Sequence, residues 1–77
     1  MNKERRERLR NVIRAIQNVT DNLKSILDDE QWAYDSMPEN LQCSMRGSDS
    51  EEAISTMEEA QENLQQAIDL IQDVIDI

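Results

Sequence analysis

From Leu9 onward the apolar residues fall on an unbroken heptad, and that periodicity restricts most of the chain to long helices. The first run places Leu9, Ile16, Leu23, Glu30 and Met37 at position a, and Val12, Val19, Ile26 and Ala33 at d. Ile13, Thr20, Leu27 and Tyr34 follow at e. A second run places Met57, Leu64 and Ile71 at a; Ala53, Ala60, Ala67 and Val74 at d; and Ile54, Gln61, Ile68 and Ile75 at e. Each stripe is three positions wide, broader than the a/d seam of a simple coiled coil and closer to the inner face of a bundle helix. Leu70 and Ile77 widen the second stripe near its end, and the recurring alanines permit close helix approach.

The strongest helix breakers stand together in the middle of the chain: its single proline is Pro38 and its single glycine Gly47. Pro38 disfavours helical backbone at Met37 and suits the start of a new helix, so the first helix is expected over about 3–35. Ser48 with Glu51, or Asp49 with Glu52, has capping-box spacing, which predicts a second helix over about 49–76. Residues 36–47 form the tip, with one or two helical turns over 38–44. The expected fold is all-α, a single two-helix antiparallel hairpin domain spanning 1–77. A chain of 77 residues rarely assembles a sufficient core alone, so two hairpins are expected to pair into a four-helix bundle, giving a homodimer.

Charge is divided along the chain. Residues 1–14 carry six bases and two acids, whereas residues 48–77 carry nine acids and no base. In an antiparallel hairpin the basic start lies beside Asp69, Asp73 and Asp76, so cross-helix or intersubunit pairing is expected there. The net charge of −9 opposes nonspecific attraction to nucleic acid or anionic membrane, and neither is expected as a direct partner.

Several chemistries lose their residues at this stage. No histidine is present, which removes the commonest acid–base group and metal ligand and the Glu-x-x-His pairs of di-iron bundles. Cys43 is the only cysteine, so an internal disulfide or multi-cysteine zinc site cannot form. A single thiol fits a reducing cytoplasm. Arg10, Asn11, Arg14, Gln17 and Asn18 interrupt any apolar run after the basic start, leaving neither a signal peptide nor a membrane span. Glu58, Glu59, Glu62 and Asp69 resemble a magnesium-binding carboxylate string, but they take b, c, f and f positions and diverge into solvent. No enzyme activity, cofactor or metal is expected.

Polar residues on the stripes need partners. Thr20 and Gln61 come level in an antiparallel register and are expected to fix it, at some cost in stability. Glu30 takes an a position and either anchors the tip or joins a functional surface. Trp32, at position c, is either covered by a folded-back 38–46 segment or stands free as an anchor for a partner. Glu30, Trp32, Tyr34, Asp35, Pro38, Glu39, Asn40, Gln42 and Arg46 form the candidate partner-binding set. No other region combines aromatic, amide, carboxylate and guanidinium groups outside an obvious packing pattern.

The segment from Glu30 to Gly47, EQWAYDSMPENLQCSMRG, followed by an acidic helix with Ala, Ile and Leu spacing, resembles a family of short uncharacterised proteins of phages and prophages from Gram-positive bacteria. Those carry a similar E-Q-x-A-Y-D-N-M-P-E-N-L-Q-x-S-E-R-G segment between a basic first helix and an acidic second one. The likeness spans nearly the whole chain, and it departs at Trp32, Ser36 and Met45, where Glu, Asn and Glu are usual. It implies a helical hairpin of phage origin acting in the bacterial cytoplasm, and it assigns no activity. The leading expectation is a non-enzymatic accessory protein that binds a host or phage protein through the hairpin tip. The alternatives are an acidic mimic of nucleic acid that blocks a defence protein, and sequestration of a small anionic ligand at a dimer interface, where Arg46 and the basic N-terminal turns would meet it.

Overall fold

The computed structural model describes all 77 residues and is entirely helical, in the order α1 (Lys3–Asp35), α2 (Glu39–Gln42) and α3 (Met45–Ile75). α1 and α3 pack antiparallel along an elongated body with extents of 58 × 15 × 12 Å. Cross-helix hydrogen bonds fix this arrangement at both ends. Arg6 Nη2 donates to the backbone oxygen of Ile77 (2.7 Å), and Ser50 Oγ donates to Glu30 Oε1 (2.7 Å). No helix is long and apolar enough to cross a membrane.

Local chemistry sets each boundary. Asn2 caps α1, its Oδ1 accepting from Arg5 N at 2.8 Å, so one exposed amide of the first turn is satisfied. At the other end Pro38 has no N–H to offer the Tyr34 carbonyl, which would otherwise be an orphan acceptor. Met37 N at 3.1 Å and Gln42 Nε2 at 2.9 Å donate to it instead. The Pro38 carbonyl then starts α2 by accepting from Leu41 N (2.9 Å) and Gln42 N (3.1 Å).

The second long helix begins four residues earlier than the capping-box spacing suggests, at Met45 rather than about residue 49. Ser44 is the N-cap: its hydroxyl accepts from Gly47 N at 3.5 Å and its carbonyl from Ser48 N at 2.9 Å. Residues 36–47 are therefore not all tip, because 45–47 are already the first turn of α3. Gly47 does not end a segment. It is helical, buried and without positive φ, and a Cβ there would lie 2.1 Å from the Gln42 carbonyl oxygen. Glycine is required by the close approach of α2, not by backbone conformation.

Within the hairpin the stripes divide by position. Ile13, Ile54, Ile68 and Ile75, all at e, are buried. Ile13, Ile68 and Ile75 form one cluster, with Leu9, Ile16 and Ile71 packed against it. The a residues of the two apolar runs, from Leu9 to Met37 and from Met57 to Ile71, are half-buried. The d residues of α1 face outward: Val12, Val19 and Ile26 are 44%, 54% and 58% exposed. No side chain is fully buried, so the isolated hairpin has a thin core.

Two expected pairings are absent within the single chain. Thr20 Oγ1 donates to Ile16 O of its own helix (2.8 Å) and not to Gln61, because a threonine hydroxyl reaches the carbonyl four residues back with little loss of rotamer freedom. The basic start makes no ion pair with Asp69, Asp73 or Asp76; Arg10 and Arg14 both reach Glu7, at 3.1 and 3.8 Å. Asp69 and Asp76 accept instead from Gln65 and Gln72 one turn before them. Exposed pairs contribute only about 0–1 kcal/mol, so proximity of opposite charge does not by itself impose a cross-helix bridge.

Candidate functional site

The tip is held by polar side chains of α1 that pair with α3 and by a side chain of α2 that reaches back to the α1 backbone. Glu30 arrives at the helix interface because its a position continues the apolar stripe. There it meets Ser50, which is only 5% exposed. The observed contact of Glu30 joins α1 to α3 beside the tip. One turn further along, Tyr34 donates its phenolic hydrogen to Glu51 Oε1, and the Tyr34 backbone receives Gln42. Ser44 Oγ donates to the Leu41 carbonyl, joining the end of α2 to the cap of α3. These contacts lock the hairpin end into one frame.

The candidate residues therefore divide. Glu30, Tyr34 and Gln42 are structural members of the tip, and Asp35 accepts from Gln31 of its own helix at 3.0 Å. Pro38, Glu39, Asn40 and Arg46 are exposed. Trp32 is also exposed, at 72%, on the side of α1 away from α3, and the 38–46 segment does not cover it. Leu41 and Met45 add exposed apolar surface at the same end of the molecule. Ser50 and Glu51 were not among the candidates. Extending the second heptad back by one repeat would have placed Ser50 at a and Gly47 at e, in line with the buried residues that follow.

The chain matches no protein-family model, no curated protein and no solved structure.

The surroundings of Tyr34 shift its ionisation. The hydrogen bond to Glu51 holds its proton, and desolvation and the negative charge of Glu51 act in the same direction, raising its pKa above the ordinary value of 10.0. The sign follows directly. A proton held more tightly in the folded state contributes stability below pH 10.0, and that contribution is lost as the pH rises through the folded value. Because Tyr34 is the only tyrosine, ultraviolet difference absorbance reports it alone. Its midpoint is expected above 10.0 in the native protein and closer to 10.0 in Glu51→Gln, and equal midpoints would dismiss the contact.

Elsewhere the surface offers little chemistry. No group of three acidic or cysteine side chains is arranged to hold a metal ion. One open depression of about 460 Å³ lies along the first turns of α1, between Met1, Arg5, Arg8, Leu9, Asn11 and Val12. Arg46 and the basic N-terminal turns stand at opposite ends of the 58 Å body, so a single chain does not bring them to one anionic ligand.

Proposed function

We propose that the protein is a non-enzymatic, dimeric interaction module that binds a protein partner through the hairpin tip, with Trp32 as the anchor. The observation that carries this reading is the exposure of Trp32 on a frame fixed by Glu30, Tyr34, Gln42 and Ser50. A rigidly presented indole loses little entropy on binding, and tryptophan is enriched among residues that dominate interface energies. Glu39, Asn40 and Arg46 are exposed at the same end of the molecule and add polar groups to that surface. The phage or prophage setting, and with it the bacterial cytoplasm, rests on the resemblance of the central segment.

The test compares affinity capture from host lysate by the native chain, Trp32→Ala and Arg46→Ala. Trp32→Ala is expected to weaken the captured complex by about 30-fold or more, the scale of an interface hot spot, while leaving the unfolding midpoint unchanged. Equal capture by all three proteins would remove the tip from the mechanism. The acidic-mimic reading draws on a separate observation: residues 21–62 carry twelve acids against two bases, and none of those acids is in an ion pair. Salt separates the two readings. Binding through Trp32 persists at high ionic strength, whereas binding by diffuse charge is lost and competes with DNA.

A further inference from the structure

The d positions form one face, exposed at Val12, Val19, Ile26 and Val74 and half-buried at Ala60 and Ala67. In an antiparallel pair whose e positions meet at the centre, the d positions of both helices fall on the same side. Val12, Val19 and Ile26 of α1 thus lie beside Ala60, Ala67 and Val74 of α3. The two rows are also centred at one level. The residue numbers joined by the cross-helix bonds Arg6 to Ile77, Glu30 to Ser50 and Tyr34 to Glu51 add to between 80 and 85, so Val19 stands level with residues 61 to 66. That is the middle of the alanine row.

We propose that a second copy of this chain covers the face, with the two hairpins running in opposite directions about a twofold axis at Val19, so that the tips point away from each other. This rests on the dimer reading above and specifies its geometry. Two helices about 45 Å long present a strip about 15 Å wide, or about 700 Å² per copy, close to the roughly 800 Å² per partner of a stable interface. About the axis Val19 meets its own copy, Val12 meets the partner's Ile26, and Ala60 meets the partner's Ala67.

Charge selects the direction. Residues 1–20 carry a net charge of +4 and residues 21–35 a net charge of −4, so α1 is complementary to an antiparallel copy of itself. Arg8 and Asp29, which share the g flank of the stripe, come level across the axis. With the tips together, the half-molecule 21–62, at −10, would instead lie against its own copy. Across an interface of about 10 Å, comparable with the Debye length, that repulsion is only partly screened. α3 faces an acidic copy of itself in the tips-apart form, but its −6 half, residues 47–62, then meets the −3 half, residues 63–77. The second copy's basic N-terminal turns lie beside it.

Sedimentation and paired spin labels test the proposal on the full chain, because Cys43 is its only thiol and is exposed at the tip. The expected result is a dimer of the 9.0 kDa chain with a Cys43-to-Cys43 label distance of about 60 Å, from about twenty residues of helical rise on each side of the axis. A dimer with a label distance below about 30 Å overturns the tips-apart geometry and leaves the dimer reading standing. A monomer at micromolar concentration, or one that associates only with a different protein, overturns both. Arg8→Asp is expected to weaken the dimer about 5-fold and Arg8→Asp with Asp29→Arg to restore it, and absence of rescue counts against the pairing. Val19→Asp, at a site exposed in the single hairpin, is expected to raise the dissociation constant about 100-fold or more while the helix content of the monomer is retained.

Discussion

Gly47→Ala is expected to destabilise the protein by about 2 kcal/mol, although the same substitution inside an ordinary exposed helix stabilises by about 1 kcal/mol. The reversal follows from one contact. Gly47 is helical, so alanine would suit its backbone, but the added Cβ would lie 2.1 Å from the Gln42 carbonyl oxygen and 2.5 Å from its carbon. Both atoms are backbone, and neither can rotate away. Relief requires α2 to lift from α3, which breaks the Gln42 bond to the Tyr34 carbonyl and separates Ser44 from its cap position. Denaturant unfolding measures the loss, and hydrogen exchange at 39–44 shows that it originates at the tip. Ser48→Ala, one residue further on at an exposed position, is the control and should be neutral or slightly stabilising. A gain in stability for Gly47→Ala would show that α2 does not rest on α3.

That glycine also marks where the sequence stopped being legible. The heptads identify two long helices because an apolar residue at nearly every a or d position repeats the same statement many times, and Pro38 states the end of the first helix in steric terms. The start of α3 is stated by single residues that compete. Ser44, Ser48 and Asp49 can each cap a helix, and their chemistry alone does not rank them. The deciding fact is tertiary: with α2 folded against it, only a residue without a side chain fits at 47, so the first turn must begin before it. The polar clasp was half legible for the same reason. Glu30 stood out as a carboxylate in an apolar register, but Ser50, its donor, is small and unremarkable until the second stripe is extended back to it.

Charge was the least transferable signal. Opposite charges at neighbouring helix ends suggested bridges, yet Arg10 and Arg14 settle on Glu7 of their own helix, where short sequence separation lowers the entropy of pairing. What survives is the coarse distribution, basic then acidic along α1 and acidic along α3 after Arg46, which acts over distances longer than a single bridge. It therefore bears on the proposed pairing of copies more than on how one hairpin folds.

Ile68→Ala is expected to cost about 2–4 kcal/mol, a large share of the roughly 4–12 kcal/mol that a chain of this length possesses. Ile68 is 7% exposed and sits with Ile13 and Ile75 in the buried cluster, so truncation leaves a gap that Leu9, Ile16 and Ile71 can fill only in part. The comparison that gives this measurement its force is Val19→Ala. Val19 is 54% exposed in the hairpin, and its truncation should change the unfolding free energy of a dissociated chain by no more than about 0.5 kcal/mol. Urea titrations of both variants over a range of protein concentrations separate the two layers of packing. The Ile68→Ala loss is expected to persist on dilution because it belongs to one chain, whereas any Val19→Ala loss is expected to fade as the proposed dimer dissociates. If Ile68→Ala stayed within about 0.5 kcal/mol of the native chain at every concentration, the isoleucine cluster at e would not be the core. The hairpin would then derive its stability from the d face alone, and the order of assembly would be reversed, with association preceding the packing of α1 on α3.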